Sequence, residues 1–495
     1  MVFAIGCPLM NNASFSVDPV KPSSAHLLGS PQAIWHREDW ILGLNHQRWL
    51  ERIRQRQREL QAVMEREGYP RVLLVQADPL EFLAGLMAAC LCDCPVFLGN
   101  PHWQRSEWQQ VLLLVQPHVI WDASQLPPVD IPKPAPAKQE EKGWILISTG
   151  GSSGQVRFAI HTWETLTASV EGCQNHFFGG ELDAINSCCW LPLYHVSGLM
   201  QFMRSLLTYG KLLLLPRHCF SPEISLMPDI AAFLDPQSEQ PYSFFLSLVP
   251  TQLQRFLQQG GPRLQWLARF HTILVGGGPA WPALLQGARQ HQLRLALTYG
   301  MTETAAQVAT LDPDQFLLGA AHSGHVLPHA QIAIEHQQHQ GIVAPQTGQV
   351  VIECTSLCKG YYPQLLASPR KFFTDDLGYF NNQGALHIVG RLSRKIISGG
   401  ENVFPEEIEK LILSTGLVKD VTVLGQPHPD WGQIITAIVV PAADSFSLIA
   451  LQTCLKNQLS PFKQPKQWYV LPQLPRNPQG KIDQSQMRKL LQVDQ

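Results

Sequence analysis

Residues 148–162 read STGGSSGQVRFAIHT and follow the apolar run WILI (144–147), which predicts a buried strand. Three glycines and several hydroxyls directly after such a strand predict a turn whose backbone N–H groups face an anion, with a helix N-terminus adding positive potential. Thr149, Gly151, Ser152, Ser153 and Gly154 are the candidate donors. The stretch is not a Walker P-loop, because no Gly-Lys followed by Ser or Thr occurs after Gly154. Taken alone, a Gly/Ser turn without ligand explains it equally well.

Outward from this turn the chain alternates short apolar runs with helical patterns. Residues 46–67 carry Trp49, Ile53, Leu60 and Met64 at helical spacing, with mixed charge between them. RVLLVQ (71–76), an apolar helical stretch from Leu80, CPVFLG (94–99) and VLLLVQPHVIWD (111–122) follow. After a proline-rich connection at 125–142, FFLSLVPTQLQRFL, HTILVGGGPAWPALL and LALTYGMTETAA each predict strand, turn and helix. This alternation predicts α/β architecture with parallel sheets. From about 320 the texture changes to short strands, and the last hundred residues mix a helix at 405–413 with strands such as QIITAIVVP.

Composition narrows the function classes. The 495 residues are 45% apolar and 15% charged, which excludes disorder and requires several folding units. A formal net charge of −2 provides no electrostatic footprint for nucleic acid, so none is expected as a partner. The eleven cysteines are scattered, and the spacing of Cys90, Cys92 and Cys94 departs from common zinc sites. Free buried thiols, a reducing compartment and a cytoplasmic location are the expectation. The opening MVFAIGCPLMNN is too short to span a bilayer, and no integral membrane association is expected.

Further segments carry chemistry. ILVGGGPAW (273–281) places Gly276, Gly277 and Gly278 after a strand, where backbone can approach a flat ring. TYGMTET (298–304) offers an aromatic face, two hydroxyls and a carboxylate. FFTDDLGYF (372–380) supplies paired acids, GRLSRKIISGGENVFPEEIE (390–409) joins basic residues to a Gly-Gly turn, and LPRNPQGKID (474–483) leaves Lys481 beyond a turn.

In that order and spacing these motifs resemble the adenylate-forming superfamily of acyl-CoA ligases, peptide-synthetase adenylation domains and luciferases, over roughly residues 144–485. The resemblance implies a large N-terminal domain of α/β subdomains (1–391) and a small mobile α+β domain (392–495), hinged near residues 391–394. It implies that 149–154 close over the β- and γ-phosphates of ATP, that Gly276–Gly278 and Tyr299 sandwich adenine, and that Thr302 bonds the α-phosphate. Glu303 would help hold Mg²⁺, Asp376 would accept from the ribose hydroxyls with Arg391 nearby, and Lys481 would stabilise charge during adenylation. Gly399 and Gly400 would face the pantetheine arm of CoA.

The segment LPLYHVSGLMQFMRSLL (191–207) is similar to the acyl-binding segment of 2-succinylbenzoate–CoA ligases, in menaquinone and phylloquinone synthesis. His195, Ser197, Gly198 and Arg204 carry that pattern, with His195 also a gate residue in the superfamily. A second carboxylate on an aromatic acid suits the planar fork of Arg204. The implied partners are a small carboxylic acid, ATP and CoA, with a homo-oligomer possible. Other aryl or fatty acids, carrier-protein loading, and a non-catalytic nucleotide-binding regulator stay open at this point.

The chain departs from the superfamily pattern at three places. Val156, Arg157 and Phe158 stand where proline, lysine and glycine are usual, and Arg157 keeps the positive charge. Asp375 stands in place of a glycine before Asp376, and Arg394 in place of the hinge acid.

Overall fold

The computed structural model describes residues 30–122, 124, 126–127, 129–150, 155–179, 183–215, 243–336, 347–366, 371–398, 401–428, 431–456, 458–459, 461–476, 482–483, 486–487 and 490–491. Two seven-stranded sheets form most of it. In the first, strands Val72–Leu74, Val96–Leu98, Val119–Trp121 and Ile145–Gly150 run parallel. Strand Val156–His161 then adds antiparallel to Ile145–Gly150, followed by short strands Gly360–Tyr361 and Gln364–Leu365.

Alternate residues of this sheet enter opposite cores, as period-2 side-chain geometry requires. Val72, Leu74, Ile145 and Ile147 pack with helices His46–Glu67 and Pro79–Leu91. Leu73, Phe97, Leu146 and Phe158 pack with Trp103, Trp108 and Val111 on the other side. Burial on both faces explains why these strands read as continuous apolar runs. Each fully buried Leu, Ile or Phe contributes roughly 1.5–3 kcal/mol.

The second sheet runs parallel through Leu212–Leu214, Asn186–Cys189, Phe244–Leu248, Thr272–Val275 and Leu295–Met301. Strands Ala306–Thr310 and His325–Val326 then close it antiparallel. Helices Trp163–Phe178 and Val196–Leu207 supply Trp163, Leu166, Leu199 and Phe202 to the core that also takes Ile145 and Leu212, which ties the two sheets together. A four-stranded antiparallel sheet spans 330–391. A five-stranded sheet built from 396–470 carries helix Pro405–Ser414 on its own core of Ile408, Ile412, Val423 and Ile435.

Three sequence expectations need correction. The run 111–122 is the end of helix Arg105–Val115 followed by strand Val119–Trp121, because Gln116 takes a left-handed conformation (φ 46°) and ends the helix. The segment after Met301 is not an α-helix but a single 3₁₀ turn, Thr302–Thr304, leading into strand Ala306–Thr310. Ala305 and Ala306 have φ of 51° and 86°, which a helix cannot absorb, and Gly300 lies so close that a Cβ would sit 1.9 Å from the Ala306 carbonyl oxygen. Strand Ile145–Gly150 is followed by the antiparallel strand Val156–His161 rather than by a helix. The next helix among the described residues starts at Trp163, after that second strand.

Cys90 and Cys94 are buried and unpaired, Cys92 is half-buried, and burial pushes the Cys94 thiol up to about 12. No helix of the described residues is long and apolar enough to cross a membrane.

Candidate functional site

The turn Thr302–Thr304 is held through its carbonyl groups. His161 Nε2 donates to the Thr302 carbonyl at 2.7 Å, the Cys358 N–H to that of Glu303 at 2.7 Å, and Ser356 Oγ to that of Thr304 at 2.8 Å. Ser169 Oγ reaches the Ala305 carbonyl at 2.6 Å. Because a carbonyl only accepts, the His161 proton is on Nε2, and Nδ1 meets Thr165 Oγ1 at 3.1 Å. His161 is fully buried, which lowers its pKa to about 4 and keeps it neutral at pH 7. With its backbone fixed, the turn presents Thr302 and the Glu303 carboxylate. Tyr361 Oη donates to Glu303 Oε1 at 2.6 Å.

Beside this turn lie the arms of the Gly/Ser hairpin. Thr149 and Arg157 are cross-strand partners. The Thr149 hydroxyl is buried and has no hydrogen-bond partner among the described residues, a costly state for a donor unless another group satisfies it. Arg157 is exposed, and its guanidinium carbon lies 4.6 Å from the centre of the Tyr361 ring. Gly151, Ser152, Ser153 and Gly154 lie outside the described residues.

The three glycines after strand Thr272–Val275 differ in what they need. A Cβ on Gly276 would meet Thr298 Oγ1 at 2.3 Å, and Gly277 has φ 77°. Gly278 has only Pro250 Cδ nearby, at 4.0 Å, and is exposed. Tyr299 packs among Val308, Val350, Ile352 and Leu386. Its hydroxyl donates to Asp376 Oδ2 at 2.8 Å, and burial together with that carboxylate raises the phenol pKa. Asp376 opposes Arg391 across the sheet and accepts from its Nε at 3.2 Å. Two protein donors on one carboxylate leave lone pairs for further donors.

Helix Val196–Leu207 begins at His195, its N-cap, whose ring packs edge-on to Tyr194. Gly198 is required there, since a Cβ would lie 2.2 Å from the Pro192 carbonyl oxygen. Gln201 Nε2 donates to the Ser197 carbonyl. Arg204, on the same helix, is 3% exposed and donates from Nη2 to Gln307 Oε1 at 2.8 Å. Among the described residues its Nε has no hydrogen-bond partner and no carboxylate pairs with it. A buried guanidinium in that state is expensive without an anion.

The two departures near residue 391 are structurally engaged. Asp375 accepts from the Ser393 backbone N–H at 2.9 Å and from its hydroxyl. Arg394 forms ion pairs with Glu406 at 2.8 Å and Glu409 at 2.6 Å, both on helix Pro405–Ser414. Gly399, Gly400 and Lys481 lie outside the described residues.

The structure thus joins Thr302 and Glu303 to Arg157 through Tyr361, and Tyr299 to Asp376 and Arg391. It places Arg204 on Gln307. Tyr361, His161 and Gln307 were not singled out from the sequence. A histidine within the apolar stretch RFAIHT was the one available signal for His161, and the other two carry no local signal. Among the described residues no three His, Cys, Asp or Glu side chains converge on a metal position. Glu303 with one oxygen held by Tyr361 fits a Mg²⁺ ion that takes one carboxylate and otherwise phosphate oxygens and water.

The model of the AMP-binding enzyme family matches residues 104–362, more than half of the chain, and that of the AMP-binding enzyme C-terminal domain matches residues 407–481. The chain belongs to the AMP-binding enzyme family. It is an adenylate-forming enzyme of the AMP-forming acid–thiol ligase class. This AMP-binding enzyme is 29% identical to the 2-succinylbenzoate–CoA ligase of Bacillus cytotoxicus over 451 residues, 87% of this chain and 88% of the relative. It is 30% identical to that of Listeria monocytogenes over 357 residues, 70% and 69% of the two chains. Among solved structures it is similar to the o-succinylbenzoate CoA synthetase (MenE) from Bacillus subtilis in complex with ATP and magnesium ion. The TM-score is 0.73 and the identity 24%, covering 90% of this chain and 94% of that one. The amide bond synthetase McbA from Marinactinospora thermotolerans shares the fold at TM-score 0.75 and 21% identity, over 94% and 99% of the chains. The family's architecture, a large α/β N-terminal part with a small α+β C-terminal part, is the one seen here.

Proposed function

We propose that this enzyme converts 2-succinylbenzoate to its CoA thioester in two steps. A carboxylate oxygen attacks the α-phosphorus of ATP, and pyrophosphate leaves with the broken P–O bond. The thiol sulfur of CoA then attacks the acyl carbon, and AMP leaves. The observation that carries the choice of acid is the buried Arg204 guanidinium, which has no acidic partner among the described residues, on the helix that His195 and Ser197 open. The relatives named as 2-succinylbenzoate–CoA ligases support the same acid.

In this reading Thr149 and Arg157 bind the phosphates, Thr302 orients the α-phosphate, and Asp376 holds the ribose. Mg²⁺, when bound at Glu303, neutralises developing charge on the phosphates. Lys481 supplies a positioned cation in the first step, and Gly399 and Gly400 pass the pantetheine arm. The work is divided between residues 1–391 and a mobile unit of residues 392–495, and the enzyme acts in the cytoplasm.

The test is an AMP-release assay with CoA and a panel of acids headed by 2-succinylbenzoate. Preference for that acid by at least tenfold in kcat/KM supports the assignment. Equal or better use of a monocarboxylic aryl or fatty acid overturns it.

A further inference from the structure

Tyr361 stands on a two-residue strand, Gly360–Tyr361, fixed by the backbone on both sides. The Lys359 N–H donates to the Ile160 carbonyl at 2.8 Å, and that of Tyr362 to the Phe158 carbonyl at 2.9 Å. Tyr361 itself opposes Ala159. Two residues before the strand, the Cys358 N–H grips the Glu303 carbonyl at 2.7 Å. Residues 358–362 therefore bind the arm that carries Arg157 and the main chain of Glu303 at once.

The side chain of Tyr361 repeats this bridge. Its hydroxyl donates to Glu303 Oε1 at 2.6 Å, and its ring lies under the Arg157 guanidinium at 4.6 Å. Arg157 and Glu303 carry opposite charges close to one aromatic ring, yet they form no ion pair with each other. The ring stacks with the cation and the hydroxyl occupies one carboxylate oxygen. Both charges are thereby held apart and kept available to a ligand, and Oε2 is left for a cation.

We propose that Tyr361 is a positioning residue that holds Glu303 in a one-oxygen pose for Mg²⁺ and spaces it from Arg157. This rests on the nucleotide reading above.

The experiment titrates ATP calorimetrically into the full chain, once with Mg²⁺ and once with a chelator, for wild type, Tyr361→Phe, Glu303→Gln and the double variant. Phenylalanine keeps the ring under Arg157 and removes only the hydroxyl. Tyr361→Phe is expected to lose roughly tenfold in affinity for ATP with Mg²⁺, the scale of one hydrogen bond to a charged group. Its affinity in chelator should stay within about twofold of wild type. In the Glu303→Gln background the same change should alter Mg²⁺-dependent affinity less than about twofold, because the hydroxyl then has no carboxylate to orient. Wild-type affinity in Tyr361→Phe, or an undiminished loss in the Glu303→Gln background, overturns the positioning role. Absence of any ATP binding by wild type overturns the nucleotide reading itself, and this role with it.

Discussion

Arg204 and Gln307 are buried partners 103 residues apart in sequence, Nη2 donating to Oε1 at 2.8 Å, while Arg204 Nε has no partner among the described residues. Gln307 in turn donates from Nε2 to Cys173 Sγ at 3.5 Å, so the amide that fixes one edge of the guanidinium is itself held. The fork is oriented by a neutral group, and no carboxylate of the described residues cancels its charge.

Replacing Arg204 by Leu should therefore raise KM for 2-succinylbenzoate at least about tenfold, the scale of a hydrogen bond between a guanidinium and a carboxylate. KM for ATP should stay within about twofold. Steady-state kinetics with each substrate varied in turn check this. A wild-type KM for the acid would remove Arg204 from substrate recognition.

Gly276 and Gly278 separate packing from ligand approach. Gly276→Ala forces a Cβ against Thr298 Oγ1 at 2.3 Å and should destabilise the fold by about 1–3 kcal/mol, the range for overpacking. Gly278→Ala meets nothing closer than 4.0 Å and should melt like wild type. If the nucleotide passes over this turn, Gly278→Ala should still weaken ATP binding. Thermal melts paired with ATP titrations distinguish the two effects.

His161 makes stability depend on acid. Burial lowers its pKa to about 4, whereas an unfolded histidine titrates near 6.5. As pH falls below about 6.5 the unfolded chain takes a proton that the folded chain refuses, so stability declines until pH reaches about 4. The loss from this one group is on the order of 3 kcal/mol. His161→Gln, which can still donate to the Thr302 carbonyl, should flatten the slope of unfolding free energy against pH by about one proton between pH 4 and 6.5. Denaturant titrations across that range measure it, and an unchanged slope would count against a neutral buried His161.

Arg394 is paired with Glu406 and Glu409, and Glu406 is already pushed up by burial against the opposing pull of Arg394. Arg394→Asp, which restores the acid usual in the superfamily, should place a third carboxylate among them and lower the melting temperature by several degrees. Adding Glu409→Lys should recover part of the loss. No change in either variant would show that these ion pairs contribute nothing to the fold.

The α/β class and the phosphate, glycine and acid segments were legible because each rests on local rules. The apolar runs 71–76 and 272–275 hold the strands Val72–Leu74 and Thr272–Val275, buried on both faces, and Pro250, Pro282 and Pro405 sit in the first turn of helices, where proline is tolerated. The order of motifs carried the family.

What failed or stayed hidden depends on contacts between distant segments. TYGMTETAA has good helix formers after Met301, yet it turns back as a strand, because Gly300 packs against Ala306 and donors from residues 161, 169, 356 and 358 take the turn's carbonyl groups. Local propensity is worth a few tenths of a kcal/mol per residue, and four buried hydrogen bonds outweigh it. Tyr361, His161 and Gln307 have no distinguishing neighbours in sequence. Their roles come from the register that sets 361 beside 159 and 307 beside 300, placing each side chain against a partner 58 to 141 residues away. The sequence alone determined which residue types were present and those strands and helices that local patterning governs. The tertiary structure decided which polar groups meet, because a hydrogen bond or ion pair is specified by position within ångströms and only the packed sheets supply that.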